Sequence, residues 1–210
     1  MSTDHDDVTL DARDAEERRT LVKVLALNAG LSAALFVAGL TANSSGLMAN
    51  ALDNASDAAV YGIGLYAVGR DPKWKRRAAT VSGVLLLVFA LGVLVDAARR
   101  FITGTDPLGP MMIVMALIAA SVNALCIKLL RKNRGDDVNM RAAWTFSLND
   151  FYSNFGIVIA GGLVLALDRN WPDLVVGVVI AFIALKGGIE ILRDARQSGD
   201  QAASNHENTP

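Results

Sequence analysis

Long apolar runs of about 20 residues, separated by short polar segments, repeat along most of the chain. A helix needs about 20 mostly apolar residues to cross the roughly 30 Å hydrocarbon core of a bilayer. The pattern therefore predicts an all-α membrane protein with six transmembrane helices, at 21–42, 43–70, 78–98, 111–130, 142–167 and 171–193. The first two runs are joined by only four residues, NSSG, so we expect them to form an antiparallel hairpin.

Two of these runs carry acidic residues near their middle. In the second run, Asp53 and Asp57 are four residues apart, which puts both carboxylates on one face of a helix. The fifth run holds Asp150. The other polar residues within about 60° of it around the helix are Ser147, Ser153 and Asn154. A charge at membrane depth costs at least about 2.5–3.5 kcal/mol, so these acids must face a bundle interior or an aqueous cavity. A cation or proton site is the functional interpretation, and a structural hydrogen-bonding patch is the alternative.

Basic residues are unevenly distributed between alternate connections. Of the 20 Lys and Arg residues, 16 lie in the N-terminal segment, the 70–77 and 128–141 connections and the C-terminal segment. Only Arg99, Arg100 and Arg169 belong to the other side, and Lys186 lies within the last run. By the positive-inside rule, both termini are expected in the cytoplasm. The predicted organisation is an acidic cytoplasmic N-terminal arm (1–20), a six-helix transport domain (21–195) and a disordered cytoplasmic tail (196–210).

Composition narrows the function classes further. Hydrophobic residues make up 52% of the chain, which leaves little sequence for a soluble domain. The single cysteine, Cys126, excludes an intramolecular disulfide and a CxxC metal site. Net charge is −1, and no basic patch interleaved with aromatic residues is present, so no nucleic-acid partner is predicted.

The three acids occupy two helices at a similar depth, and their chemistry follows from that placement. Asp53, Asp57 and Asp150 would repel one another if all were ionised in an empty site. A divalent cation neutralises most of this charge, and protons must do so when the cation is absent. Because either ligand displaces the other, the arrangement is suited to exchanging metal for protons.

The motif Asp53-Asn-Ala-Ser-Asp57, followed by Asp150 on the fifth run, resembles the cation diffusion facilitator family of six-helix divalent metal exporters. Members of that family typically pair an (H/D)xxxD motif on the second helix with another on the fifth. Here the second motif is incomplete, because Phe146 stands where a histidine or aspartate is usual. The resemblance covers about residues 18–195.

The resemblance implies a metal:proton antiporter of the inner (cytoplasmic) membrane rather than an enzyme. The implied metal residues are Asp53, Asp57 and Asp150. Because Phe146 cannot coordinate a metal, Asn154 or Asn149 could supply a carbonyl oxygen, or water could fill the position. Of these, Asn149 is rotated by about 100° from Asp150, and we expect it in an outer-shell or interhelical position. The implied cargo is zinc first, with cadmium also typical of the family, and no cofactor is expected to be bound permanently. An all-oxygen ligand set would instead favour Mn²⁺ or Fe²⁺.

The family's usual C-terminal cytoplasmic domain, which holds the dimer together, is expected to be missing. The chain therefore resembles a short form of the family, and a homodimer formed through the membrane helices is expected.

Two other function classes are compatible with buried membrane acids. A proton-coupled drug exporter would need an aromatic-lined cavity, and only 6% of this chain is aromatic. An intramembrane aspartyl protease would need YD and GxGD motifs, and neither occurs. Three further polar features have structural interpretations. Asn28 and Asn123 are expected to be interhelical hydrogen-bonding residues, Asp96 is expected to pair with the neighbouring Arg99 and Arg100, and Lys186 with Glu190.

Overall fold

Six α-helices make up the computed structural model, which describes residues 3–67, 72–132 and 138–207 and contains no strand in those ranges. The helices are α1 (Thr3–Thr41), α2 (Ser45–Ala67), α3 (Pro72–Thr103), α4 (Gly109–Lys132), α5 (Val138–Leu167) and α6 (Trp171–Glu207). The prediction of an all-α fold with six helices is confirmed. The connections 42–44, 104–108 and 168–170 lie at what we call the loop end of the bundle, and the terminal end is where α1 begins and α6 ends.

Five of the helices have the length and composition of membrane spans within the described residues. These segments are Arg18–Thr41, Ala79–Thr103, Gly109–Arg131, Ser147–Leu167 and Trp171–Arg193. Each of the five helices exposes large apolar side chains, such as Phe36, Phe89 and Phe182. Apolar side chains facing outward from a bundle are what a lipid environment requires. The chain is thus a multi-pass membrane protein.

Helix α2 differs from the other five because it lies at the centre of the bundle. It contacts every other helix, and nearly all of its first 13 residues are buried. Its polar side chains lower its hydropathy, and it is not among the five segments that meet the criteria for a membrane span. Surrounding protein takes the place of lipid, so α2 tolerates polar residues that a lipid-facing helix would not.

Small residues allow α2 to approach its neighbours closely at the loop end. A Cβ atom added to Gly177 of α6 would lie 2.7 Å from the backbone carbonyl carbon of Ser45 and 2.9 Å from the backbone nitrogen of Gly46. A Cβ atom on Gly39 of α1 would lie 2.9 Å from the backbone nitrogen of Met48. Backbone contact through small residues is a common basis of helix association in membranes. The α1–α2 pair also confirms the predicted antiparallel hairpin.

The two ends of the chain are more helical than the sequence suggests. Helix α1 begins at Thr3, so most of the acidic arm continues the first span. Helix α6 runs to Glu207, which corrects the prediction of a disordered tail for the residues the structure describes. The reason is local: segment 193–207 contains Ala, Gln, Arg and Glu, which have high helix propensity and can extend an existing helix.

The predicted ion pairs are confirmed. Asp96 accepts hydrogen bonds from Arg99, at 2.8 Å, and from Arg100. Arg100, which is buried, also donates to the backbone carbonyl of Asn43 at the end of α1. Lys186 and Glu190 are 3.7 Å apart. The Asp96–Arg100 pair therefore does more than neutralise charge at an interface, because it ties α3 to the α1–α2 connection.

Candidate functional site

A polar sector runs along the buried face of α2. Asp53 and Asp57 are 8% and 7% exposed, and Asn50 and Asn54 are fully buried. At 100° per residue these four side chains fall within about 100° of one another around the helix axis. The sequence analysis identified the two aspartates but missed the two asparagines. Their i, i+4 spacing on the same face is a signal that could have found them.

A second polar stripe faces inward from α5. Asp150, Asn154 and Ser147 are all buried. Asn149 is exposed, so the structure does not bring it to the face that carries Asp150. The side chain of Phe146 lies outside the described part of the structure.

The two stripes meet, and the three acids come together. Asp53, Asp57 and Asp150 lie close enough to interact electrostatically with one another. One oxygen of Asp57 and one of Asp150 are buried without a hydrogen-bond partner in the structure. The three acids are therefore close together, and two of their carboxyl oxygens have free hydrogen-bonding capacity. Such a cluster is suited to binding a cation.

The acidic side chains do not form a ready-made metal site in the described part of the structure. Across residues 3–67, 72–132 and 138–207, no three His, Cys, Asp or Glu side chains converge as a metal-holding group.

A directional chain of amide hydrogen bonds extends from the acids. The Asn54 amide nitrogen donates to the backbone oxygen of Asn50, at 2.9 Å, and to its side-chain oxygen, at 3.3 Å. The Asn50 amide nitrogen donates to the side-chain oxygen of Asn154, at 2.7 Å. The Asn154 amide nitrogen in turn donates to the backbone oxygen of Asp150, at 2.8 Å. These bonds join α2 to α5 and orient the Asn154 oxygen toward α2.

At the loop end, a buried aspartate of α6 binds the beginning of α2. Asp173 accepts hydrogen bonds from the Ser44 hydroxyl (2.6 Å) and from the backbone nitrogens of Ser45 (2.7 Å) and Gly46 (3.0 Å). A carboxylate is stabilised at a helix N-terminus by the unpaired N–H groups and the helix dipole. The sequence analysis did not identify this role of Asp173, because the partner lies far away in the sequence.

Asn28 and Asn123 do not form the interhelical hydrogen bonds that the sequence suggested. Asn28 donates to the backbone oxygen of Val24 in its own helix, at 2.9 Å, and its side-chain oxygen has no partner in the structure. Neither side-chain polar atom of Asn123 has one. Cys126, one turn from Asn123, is buried and lies close enough to Asp57 and Asp150 to interact with both.

Comparison with known proteins identifies relatives of this arrangement. Residues 21–198 match the cation efflux transmembrane domain. The chain is 26% identical over 121 residues to the cadmium, cobalt and zinc/H(+)-K(+) antiporter of Bacillus velezensis, a match that covers 56% of this chain and 38% of that protein. It is 24% identical to zinc transporter ZitB of Yersinia pestis over 200 residues (89% of this chain, 64% of that protein). It is also 24% identical to zinc transporter ZitB of Escherichia coli over 208 residues (93% and 66%). The chain thus spans less than two thirds of the length of these relatives.

Proposed function

Because the chain belongs to the cation efflux, or cation diffusion facilitator, family, we propose that it exports a divalent metal cation in exchange for protons. Zinc is the first choice of cargo. The relatives named as zinc transporters, and the one named as a cadmium, cobalt and zinc antiporter with protons among its ions, support this choice. We further propose the cytoplasmic membrane as its location.

One observation carries the proposal: three acids from two helices meet in the buried centre of a membrane protein. Asp53, Asp57 and Asp150 are each more than 90% buried. In a site of this kind, uncompensated negative charge is unfavourable, so the acids hold either a cation or protons. Binding of the cation releases the protons, and rebinding of protons releases the cation.

We propose Asp53, Asp57 and Asp150 as the metal ligands, with the side-chain oxygen of Asn154 beside them. An amide oxygen has two lone pairs, so the Asn154 oxygen can accept the bond from Asn50 and still face a cation. We exclude Asn149 from this set because it is exposed. Three carboxylates and one amide oxygen form a harder ligand set than zinc usually selects, so manganese and iron belong in every binding assay.

The two alternative functions have less support. A drug exporter and an intramembrane aspartyl protease would each place a different chemistry around the acids, and the family match and the named relatives favour neither. The amide groups of Asn50, Asn54 and Asn154 around the acids are suited to a small cation rather than to a large apolar one.

We also propose a homodimer that forms through the membrane helices. The outward apolar side chains on α1 and α3–α6 offer helix faces for such a contact as well as for lipid. Mass measurement of the purified protein in detergent and in lipid nanodiscs would test it, and a single-chain mass in both would contradict it.

Transport in proteoliposomes tests the function. We expect purified protein to move Zn²⁺, and at different rates Cd²⁺, Mn²⁺ and Fe²⁺, when a proton gradient runs in the opposite direction. Counter-movement of protons, followed with a pH-sensitive dye, should accompany each metal ion. Metal movement that is indifferent to the pH gradient would contradict the exchange, and movement of none of these ions would contradict the proposed function itself.

A further inference from the structure

Three buried asparagines on three helices have side-chain oxygens whose hydrogen bonding is unexplained. Asn28 of α1 is 1% exposed, and Asn54 of α2 and Asn123 of α4 are fully buried. The side-chain oxygens of all three, and the amide nitrogen of Asn123, have no hydrogen-bond partner in the structure. A buried amide that lacks its partners is unfavourable, so such groups require an explanation.

The contacts between α1 and α4 put Asn28 and Asn123 at one depth. At the loop end, the Leu108 backbone nitrogen donates to the backbone oxygen of Ala42 at 2.9 Å. Asn28 lies 14 residues from Ala42, and Asn123 lies 15 residues from Leu108, toward the terminal end in both cases. At 1.5 Å per residue, the two asparagines differ in depth by only about 2 Å.

The neighbouring helix pairs put Asn54 and Asp150 in the same layer. A Cβ atom on Gly161 of α5 would lie 3.2 Å from the Cβ atom of Met112 on α4, and Asp150 and Asn123 each lie 11 residues from that contact toward the terminal end. Between α1 and α2, the Ser32 hydroxyl donates to the backbone oxygen of Ala51 at 2.7 Å. Asn28 lies four residues from Ser32 on α1, and Asn54 lies three residues from Ala51 on α2, toward the terminal end in both cases.

The three asparagines also lie on faces that look into the bundle. Val24, one turn from Asn28, and Cys126, one turn from Asn123, belong to a single buried cluster that also contains Tyr61 of α2. Cys126 in turn lies near Asp57 and Asp150. The asparagines are therefore part of the polar interior that holds the acids.

We propose that Asn28, Asn54 and Asn123 form a neutral amide wall of the transport site, and that their oxygens bind the transported divalent cation or the water it carries. The inference rests on the proposed metal transport. It gives α1 and α4 a part in binding in addition to α2 and α5. It also supplies neutral oxygen ligands to a site whose fifth-helix motif lacks a second metal-binding residue. Neutral oxygens complete the coordination of a divalent cation without adding repulsion among the carboxylates.

A substitution that keeps the shape of the side chain tests this wall. In Asn123→Leu, the amide is replaced by an apolar group of similar size. If the amide serves only the cation, the metal-free variant should melt at or above the temperature of the parent, because an unpaired buried polar group has been removed. Its zinc dissociation constant should rise about 10- to 100-fold, the usual effect of losing a group that supports a metal site.

Asn28→Leu tests the same layer from α1 and should show the same pair of effects. It keeps the test decisive if Asn123→Leu does not fold. Ser121→Leu is the matched control for Asn123→Leu, because Ser121 also lies on α4 but is exposed. We expect this control variant to bind zinc with the dissociation constant of the parent protein. Binding is measured by calorimetry on the full chain with zinc and manganese in turn.

The outcomes separate this inference from the proposed function. If the parent binds neither metal, the proposed function fails and the amide wall fails with it. If the parent binds zinc and both leucine variants bind it equally well, only the amide wall is overturned. A leucine variant that melts well below the parent yet keeps its zinc affinity would assign the amide a purely structural role, which also overturns the inference.

Discussion

Single residues at the centre of the bundle carry the chemistry of this protein. The acids occupy a place where charge is expensive, and they do not have the basic partners that usually compensate for it. Asp96 shows the contrast: it is bound by Arg99 and Arg100 near the end of α3. Within the described part of the chain, no Lys or Arg side chain forms an ion pair with Asp53, Asp57 or Asp150. In the function we propose, a metal ion or protons balance their charge in turn.

Alanine substitution of the acids is the most direct test at this scale. Asp53→Ala, Asp57→Ala and Asp150→Ala should each reduce metal export to background while the protein still inserts into the membrane, because each removes one of three proposed ligands. Asp106→Ala is the control, since Asp106 is exposed in the α3–α4 connection. Export is measured as metal tolerance and metal content of cells that express each variant at an equal level. Normal export by two of the three alanine variants would refute the ligand assignment.

A histidine at position 146 should change the metal preference. The position lies one turn from Asp150 on α5, at the place of the histidine or aspartate in the motif that this chain resembles. An imidazole nitrogen added to three carboxylates approaches the tetrahedral set that zinc prefers. Phe146→His should therefore tighten zinc binding relative to manganese, as measured by competition titration. An unchanged ratio between the two dissociation constants would mean that this position does not face the metal.

Part of this site was predictable from the sequence, for a clear reason. Helical periodicity places residues of one helix on a common face, so the pairing of Asp53 with Asp57 and the stripe through Asp150 and Asn154 could be deduced. Periodicity does not say which groups on different helices touch. The Asn50–Asn154 hydrogen bond and the binding of Asp173 to the start of α2 therefore appeared only in the structure.

At the scale of helices, α2 is held at one end by its neighbours. Asp173 of α6 binds its first residues, and Arg100 of α3 binds the α1–α2 connection just before it. Gly177 lets the backbone of α6 lie directly against the first turn of α2. These contacts hold the first turn of α2 against α6 and the α1–α2 connection against α3.

Two glycine substitutions should have opposite effects on this packing. Gly177→Ala would put a methyl group 2.7–2.9 Å from the backbone of α2, which cannot move aside cheaply. Overpacking of this kind costs about 1–3 kcal/mol, so the melting temperature in detergent should fall. Gly92→Ala is the matched control because nothing lies within 4 Å of its added methyl group. Alanine has a higher helix propensity than glycine by about 1 kcal/mol, so Gly92→Ala should melt at or above the parent temperature. Equal melting temperatures for the two variants would contradict the close approach of α6 to α2.

The number and type of the helices followed from the sequence, but their environments did not. A run of about 20 apolar residues indicates a helix whether it faces lipid or protein. The polar residues of α2 suggested a buried helix, yet only the packing shows that it contacts all five others. The end of α6 was misjudged because polar composition was taken to indicate disorder, whereas residues added to an existing helix avoid the cost of nucleation.

For the whole molecule, two surfaces define its relation to the membrane. The sides of the bundle present apolar residues from α1 and α3–α6, which suits lipid. The basic residues collect toward the terminal end, at the connections between α2 and α3 and between α4 and α5. We expect this end to face the cytoplasm, as the positive-inside rule predicts.

Cysteine labelling tests this orientation directly. The only native cysteine, Cys126, is buried. We therefore expect it to react slowly with a maleimide, so that labelling reports mainly on a new cysteine at the surface. Asp106→Cys places a thiol at the loop end and Arg131→Cys places one at the terminal end, both at exposed positions. By the positive-inside rule, the terminal end faces the cytoplasm. A membrane-impermeant maleimide should therefore label Asp106→Cys in intact cells and Arg131→Cys only after the cells are opened. The parent protein, treated in the same way, controls for Cys126. If Arg131→Cys is labelled in intact cells and Asp106→Cys is not, the loop end faces the cytoplasm and the predicted cytoplasmic placement of both termini is wrong.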